Sequence, residues 1–172
     1  MEKIEVKNLD AWVHGQMRAR RFEHRIVFNH QQEGAKQAWT LALANKDVAQ
    51  DLSDEFYAQE LEHVILAQGI TTKEQYRIAK RTGRGVVLSR PKRDAVWPVF
   101  DEYRGQLATR KLKTVEDAYR EIASLLKEEM QSPKYQAKYC AIVVDETQDF
   151  GPQALQLLRV IIAEGPNDLM FV

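Results

Sequence analysis

The spacing of apolar residues predicts strands at the two ends of the chain and helices through its long middle. Residues 3–7 alternate between polar and apolar side chains, which is the pattern of a short strand. Between residues 34 and 132, several separate segments have apolar residues at the spacing of one face of an amphipathic helix. The fold class that follows is α/β, with a mostly helical segment between two sheet-forming ends.

Capping and turn residues mark the ends of these helices. The predicted starts in the middle of the chain are Ser53, Thr72, Pro91 and Thr114. The helix that begins at Ser53 should stop at Gly69, because glycine is the common residue just beyond a helix. Asn8 or Asp10 is expected to cap a helix near the N-terminus, and residues 25–28 fit either a strand or a loop.

Residues 140–172 predict a strand, a helix and a second strand in that order. Residues 141–144 are all apolar, and such a short run is typical of a strand that a parallel sheet buries on both faces. Gly151 and Pro152 begin a helix with apolar residues on nearly every side, and residues 169–172 are again apolar. A strand, helix and strand joined this closely form a right-handed parallel βαβ unit.

Composition sets limits on the kind of protein. A chain of 172 residues, of which 44% are hydrophobic, can build a core as one domain, with or without an insertion. The 25 basic and 25 acidic residues cancel, so a nucleic-acid partner can be argued only from local clusters of charge. Cys140 is the single cysteine, which excludes an internal disulfide and predicts a reducing compartment, the cytoplasm. The charged N-terminus gives no sign of a signal peptide, and no apolar run reaches the ~20 residues that span a membrane.

The strongest cluster of charge is a basic run over residues 77–93. It contains no acidic residue and has a turn, Gly83-Arg84-Gly85, at its centre. Arginines and exposed backbone N–H groups of this kind bind nucleic-acid phosphates. The candidate nucleic-acid-binding residues are Arg81, Arg84, Arg90 and Arg93. A solvated helix end, balanced by acidic residues elsewhere in the fold, explains the same run equally well.

A second candidate site follows the apolar run 141–144. Asp145 and Glu146 lie where ligands bind in parallel α/β sheets. Nucleotide hydrolysis needs such a pair, because an aspartate can hold Mg²⁺ while a glutamate orients and deprotonates the attacking water. For the pair alone, an equally good interpretation is that strands end in acidic residues because loops are polar. Gln148 and Asp149 favour the functional interpretation, since they add two polar groups able to sense a nucleotide.

The string Val144-Asp145-Glu146-Thr147-Gln148-Asp149-Phe150 resembles motif II, the Walker B segment, of superfamily 1 DNA helicases of the UvrD/Rep type. The resemblance implies a partial P-loop NTPase (RecA-like) parallel sheet that carries a mostly helical inserted subdomain. It implies magnesium coordination by Asp145, a catalytic-base role for Glu146, and binding of the ATP cofactor by Asp145, Gln148 and Asp149. It also implies DNA as the partner, either a single strand or a duplex junction.

The same resemblance divides the chain into three parts. Residues 1–22 are expected to belong to the first motor domain, residues 23–136 to the inserted helical subdomain, and residues 137–172 to the motor-domain βαβ unit that carries the Walker B motif.

One element of an ATP site is missing from the sequence. There is no Gly-x-x-x-x-Gly-Lys-Ser/Thr loop, whose backbone and lysine hold the phosphates. We therefore expect an internal fragment of an ATP-dependent DNA helicase or translocase, inactive by itself. Two alternatives stay open. One is a non-enzymatic nucleic-acid-binding or interaction module with a degenerate motor half, and the other is a metal-dependent nuclease built on Asp145, Glu146 and Asp149.

Overall fold

The helices pack around two hydrophobic cores, and short parallel strands connect them. The computed structural model describes residues 4–132 and 135–172. The helices are α1 (Leu9–Ala19), α2 (Ala35–Leu43), α3 (Asp54–Glu60), α4 (Lys73–Ile78), α5 (Arg90–Thr109), α6 (Val115–Met130) and α7 (Pro152–Ile161). The strands are β1 (Arg25–Val27), β2 (Leu112–Thr114), β3 (Ile142–Val144) and β4 (Leu169–Phe171). Helix α3 continues as a π-helix over Leu61–Leu66, and single 3₁₀ turns cover Val48–Gln50 and Thr147–Asp149.

The capping signals in the sequence act as expected. The side chains of Asn8, Ser53, Thr72 and Thr114 each accept a hydrogen bond from a backbone N–H in the first turn of their helix, at 3.0 to 3.2 Å. At the far end of the π-helix, Gly69 has a φ of +63°, a backbone conformation that side chains other than glycine rarely adopt. These predicted helix ends are therefore confirmed, and Asn8 rather than Asp10 is the cap of α1.

The predicted strand at residues 3–7 is wrong over its described part. Residues 4–8 have no strand partner among the described residues, while Lys3 lies outside them. The apolar residues of this alternating pattern do not pack into a hydrophobic core, since Ile4 and Val6 are 90% and 94% exposed.

Strands β1 and β2 form a parallel pair, with Arg25 opposite Leu112 and Val27 opposite Thr114. Sequence patterns left residues 25–28 open between strand and loop, and they gave no sign of β2. The pair lies between two hydrophobic cores, because neighbouring residues of a strand point to opposite sides. Val27 packs into one core and Ile26 into the other.

The larger core, called the helical core here, is formed by α2, α3, the π-helix, α4 and α5. Tyr57, Phe100 and Tyr103 are almost fully buried at its centre. The second core is formed by α1, α6 and α7. Helix α6 falls within the predicted insertion, residues 23–136, yet packs against α1 and α7. The three predicted domain ranges stay a prediction.

The predicted βαβ unit is confirmed as a parallel pair joined through α7. Ile142 lies opposite Leu169 and Val144 opposite Phe171. The expectation that β3 is buried on both faces is wrong, since Val144 is 5% exposed but Val143 is 67% exposed. Within the described residues, β3 pairs only with β4, and the second core lies on one side of this small sheet. Cys140, at the start of the apolar run, is exposed as well.

These elements make a mixed α/β protein with short parallel sheets. Among the described residues, no helix is both long enough and apolar enough to cross a membrane.

Candidate functional site

The end of β3 is a tight turn built from the predicted acidic residues. Asp145 accepts a hydrogen bond from the backbone N–H of Glu146 through its Oδ1 atom, at 2.9 Å. Glu146 has φ +54° and ψ 43°, which is left-handed backbone. For a residue other than glycine this conformation costs about 1–2 kcal/mol. Arg21, Asp51, Lys111 and Asn167 also have positive φ, so the site is defined by the side chains that meet at this turn and not by its backbone strain alone.

Gln148 and Asp149 complete the same turn. The side-chain amide of Gln148 donates a hydrogen bond to the Glu146 carboxylate, and the backbone N–H of Asp149 donates to the Glu146 carbonyl at 3.0 Å. The four predicted residues are thus brought together in one exposed turn. Glu146 is at the centre of the turn, because Gln148 and Asp149 both donate hydrogen bonds to it.

The carboxylate oxygens of the turn suit Mg²⁺, but they do not form a metal site made of protein ligands alone. Mg²⁺ keeps most of its waters and takes one or two carboxylate oxygens from the protein. Asp145 is exposed, one of its oxygens is fixed by a backbone N–H, and no lysine or arginine among the described residues forms a salt bridge with it. The described residues contain no group of three His, Cys, Asp or Glu side chains placed to hold a metal ion. The nuclease alternative therefore has no gathered ligand set in this part of the chain.

The basic run is largely tied into the protein. Arg81 donates to the Glu60 carboxylate from Nε and Nη2, at 2.6 and 2.9 Å. Arg84 donates to Glu60 at 3.3 Å and to the side chain of Gln59 at 2.9 Å. Only 6% of the Arg81 side chain and 13% of the Arg84 side chain are exposed. Both guanidinium groups also lie 5.9 Å from the centre of the Phe56 ring.

The other two candidate arginines have different surroundings. Arg93 donates to the backbone carbonyls of Tyr76 and Ala79, at 2.7 and 2.9 Å, and so fastens the C-terminal end of α4. Arg90 is exposed, as is Lys80 of the same run. The structure therefore separates the basic run into bound arginines and exposed cations, which the sequence did not distinguish.

Glu60 is the residue that sequence reasoning missed. Its side chain is fully buried and also accepts a hydrogen bond from the Tyr76 hydroxyl at 2.8 Å. Burial, followed by the charge of Glu60, raises the pKa of Tyr76, so its hydroxyl keeps the proton that it donates. A signal was present in the sequence, because Glu60 follows Tyr57 and precedes Val64 at helical spacing on the apolar face of α3.

A second missed residue is Gln153, in the first turn of α7. Only 3% of it is exposed, and its side-chain amide donates to the backbone carbonyl of Ala67 at 3.2 Å. This contact joins α7, which directly follows the acidic turn, to the end of the π-helix in the helical core.

The arrangement defines a class of protein: a mixed α/β protein with an acidic turn at the end of a parallel strand and a large helical segment that carries basic residues. A family model, the UvrD/REP helicase N-terminal domain, matches residues 10–172. The chain therefore belongs to the UvrD/REP helicase N-terminal domain family, and the resemblance seen in the sequence is confirmed. No curated protein and no solved structure matched the chain.

Proposed function

We propose that this chain is part of the motor of an ATP-dependent DNA helicase and supplies the carboxylates that act on Mg-ATP. The observation that carries the proposal is the turn after β3, where Glu146 is held in left-handed backbone between Asp145 and Gln148. Family membership supports the helicase assignment. The fold implied by that family is a P-loop NTPase sheet, to which β3 and β4 would belong.

Each residue of the turn has a role in this proposal. Asp145 would hold Mg²⁺ through the metal's water shell, and the ion would neutralise charge on the ATP phosphates. Glu146 is the base that orients and deprotonates the attacking water. Gln148 contacts the Glu146 carboxylate, so it is placed to change the position of the base when nucleotide binds, and Asp149 is the second residue assigned to nucleotide coupling.

The phosphate-binding loop has to come from polypeptide outside this sequence, since the chain has no Gly-x-x-x-x-Gly-Lys-Ser/Thr motif. The 172-residue chain alone should then hydrolyse no ATP, with or without DNA. Measured turnover by the isolated chain would contradict this part of the proposal.

DNA is the proposed partner, as a single strand or at a duplex junction. We assign the contact to the exposed cations of the basic run, Lys80, Arg90 and Lys92. Arg81, Arg84 and Arg93 would contribute indirectly, because their bonds to Glu60 and to the end of α4 hold the segment between α4 and α5. Lys80 lies in that segment, and Arg90 and Lys92 lie in the first turn of α5 that follows it.

The deciding experiment is Glu146→Gln in the helicase that carries this chain. The variant should bind a fluorescent ATP analogue normally and lose about 10²- to 10⁴-fold in turnover, the usual contribution of a general base. Glu164→Gln is a matched control, because Glu164 is exposed beyond α7 and lies outside the turn. Hydrolysis that survives Glu146→Gln would remove the assigned base. No hydrolysis by the unsubstituted full-length protein would instead favour a non-enzymatic nucleic-acid-binding module.

A further inference from the structure

The turn over residues 67–70, called the core turn here, lies between the basic run and the acidic turn. On one side, the side-chain amide of Gln68 donates to the backbone carbonyl of Lys80 at 2.7 Å. On the other side, the carbonyl of Ala67 accepts from the side chain of Gln153 at 3.2 Å. Two adjacent residues therefore connect an exposed cation of the proposed DNA site to the first turn of α7.

A third contact fixes the core turn against α5 and α6. Arg104 of α5 donates to the backbone carbonyl of Ile70. The same guanidinium donates to both carboxylate oxygens of Asp117 on α6, at 3.2 and 3.3 Å. Helix α6 packs directly on α7. The core turn is therefore connected to the second core twice, through Gln153 of α7 and through the Arg104 bond to Asp117 of α6.

Close packing makes the contact with α7 sensitive to small movements. A Cβ atom placed on Gly69 would lie 3.0 Å from the amide nitrogen of Gln153, closer than atoms normally pack. The six residues before Ala67 form a π-helix, Leu61–Leu66. Such segments are rare and are frequently found at functional sites. The core turn therefore has a closely packed contact with Gln153 on one side and a π-helix on the other.

We propose that the core turn couples DNA contact at Lys80 to the ATP-hydrolysis turn, with Gln153 as the positioning residue. The inference rests on the proposed function. DNA that displaces the Lys80 backbone moves Gln68 and the core turn, and Gln153 passes this shift to the start of α7. That helix begins directly after Gly151, two residues beyond Asp149. Coupling of this kind is reciprocal for binding, so nucleotide should also change the affinity for DNA.

The test is Gln153→Glu in the helicase that carries this chain. The substitution keeps the size of the side chain but replaces an N–H donor by a second acceptor facing the Ala67 carbonyl. Stimulation of ATP turnover by DNA should fall by about 2- to 30-fold, the usual range for residues inside a coupling network. Turnover without DNA, and DNA affinity without nucleotide, should be unchanged.

Gln156→Glu is the matched control, because it introduces the same charge on an exposed position of the same helix. Full stimulation of this control is expected. If Gln153→Glu fails to fold, Gln68→Ala replaces it, since Gln68 is exposed and the change removes only the bond to the Lys80 carbonyl. It should lower the stimulation in the same direction.

Glu146→Gln separates the two proposals. Hydrolysis that survives Glu146→Gln overturns the proposed function. Loss of hydrolysis in Glu146→Gln, together with full DNA stimulation in a folded Gln153→Glu, overturns the coupling alone. An equal loss of turnover with and without DNA in Gln153→Glu also contradicts coupling, because it would show a purely structural role.

Discussion

Glu60 and Arg81 form a buried ion pair in which one carboxylate receives two hydrogen bonds from one guanidinium, at 2.6 and 2.9 Å. Arg84 and the Tyr76 hydroxyl bind the same carboxylate. The group is stable because every acceptor position on Glu60 has a donor and because both arginines lie against Phe56. One acidic residue therefore holds the basic run to α3.

Removing the charge of Glu60 should destabilise the protein strongly. In Glu60→Gln the two buried guanidinium groups lose their counter-ion, and breaking a buried pair in this way costs about 3–5 kcal/mol. Urea unfolding measures the loss. Glu62→Gln, an exposed change two residues away on the same helix, should stay within about 0.5 kcal/mol of the unchanged protein. A small effect of Glu60→Gln would mean that the bonds of Glu60 to Arg81 and Arg84 contribute little to stability.

Gly69→Ala should lower the free energy of unfolding more than Gly83→Ala does. Both glycines have positive φ, +63° and +77°, so each substitution carries about 1–2 kcal/mol of left-handed strain. Gly83 has no atom within 4 Å of the added Cβ, whereas Gly69 has the amide of Gln153 at 3.0 Å. Overpacking should add about 1 kcal/mol or more to Gly69→Ala alone. Equal unfolding free energies for the two variants would show that Gln153 moves aside freely.

Glu116→Gln should stabilise the protein at neutral pH and have no effect in acid. One carboxylate oxygen, Oε2, is buried without a hydrogen-bond partner among the described residues. Burial, with a further effect from Asp117 and Glu62, raises the pKa of Glu116 above its ordinary value of 4.5. As pH rises through 4.5, the unfolded chain loses this proton first, so the folded state is penalised above that pH and not below it.

Glutamine cannot ionise and so removes the penalty at position 116. We expect a gain at pH 7, because the amide carries no charge that burial penalises, and none below about pH 4. Unfolding free energies measured across this range provide the check. Glu128→Gln, at an exposed site of the same helix, should give no such pH-dependent difference. A gain that persists in acid would rule out ionisation as the cause.

The bound arginines and the exposed cations should respond differently to substitution. Replacing Lys80 and Arg90 by glutamine should weaken DNA binding and lower the salt slope of log Kd by about 0.9 for each lost phosphate contact, or ~0.7 on a single strand. Stability should not change, since both side chains are exposed. Arg81→Gln should instead lower the unfolding free energy because it breaks the bond to Glu60. Unchanged salt dependence in the double variant would move the DNA site elsewhere.

Local signals in the sequence predicted much of the secondary structure. Side-chain caps such as Ser53 and Thr114 act within one helical turn, so their effect can be read without the rest of the chain. The βαβ unit was predictable for the same reason, since its apolar runs are continuous. Strand β2 was not, because three residues carry little pattern and their partner, β1, lies far away in sequence.

The candidate site was predictable in its residues but not in its geometry. The run from Asp145 to Asp149 is contiguous, and its chemistry can be read from the sequence. The left-handed backbone of Glu146 cannot, because it depends on how β3 meets the 3₁₀ turn. The burial of Arg81 was likewise hidden, since Glu60 lies on another helix and nothing in the spacing of the arginines points to it.

The parallel pairing of Arg25 with Leu112 brings the two ends of the helical segment side by side. The helical segment begins after β1 and ends before β2, and these two strands are adjacent. Its length and sequence can therefore change while the β1–β2 pair stays the same. The entropic cost of closing such a segment rises only slowly with its length. The helical core could thus be enlarged or shortened without rebuilding β1 or β2, as long as the contacts of Ala67 with Gln153 and of Arg104 with Asp117 are kept. For engineering, the natural points of exchange are the backbone positions just after Val27 and just before Leu112.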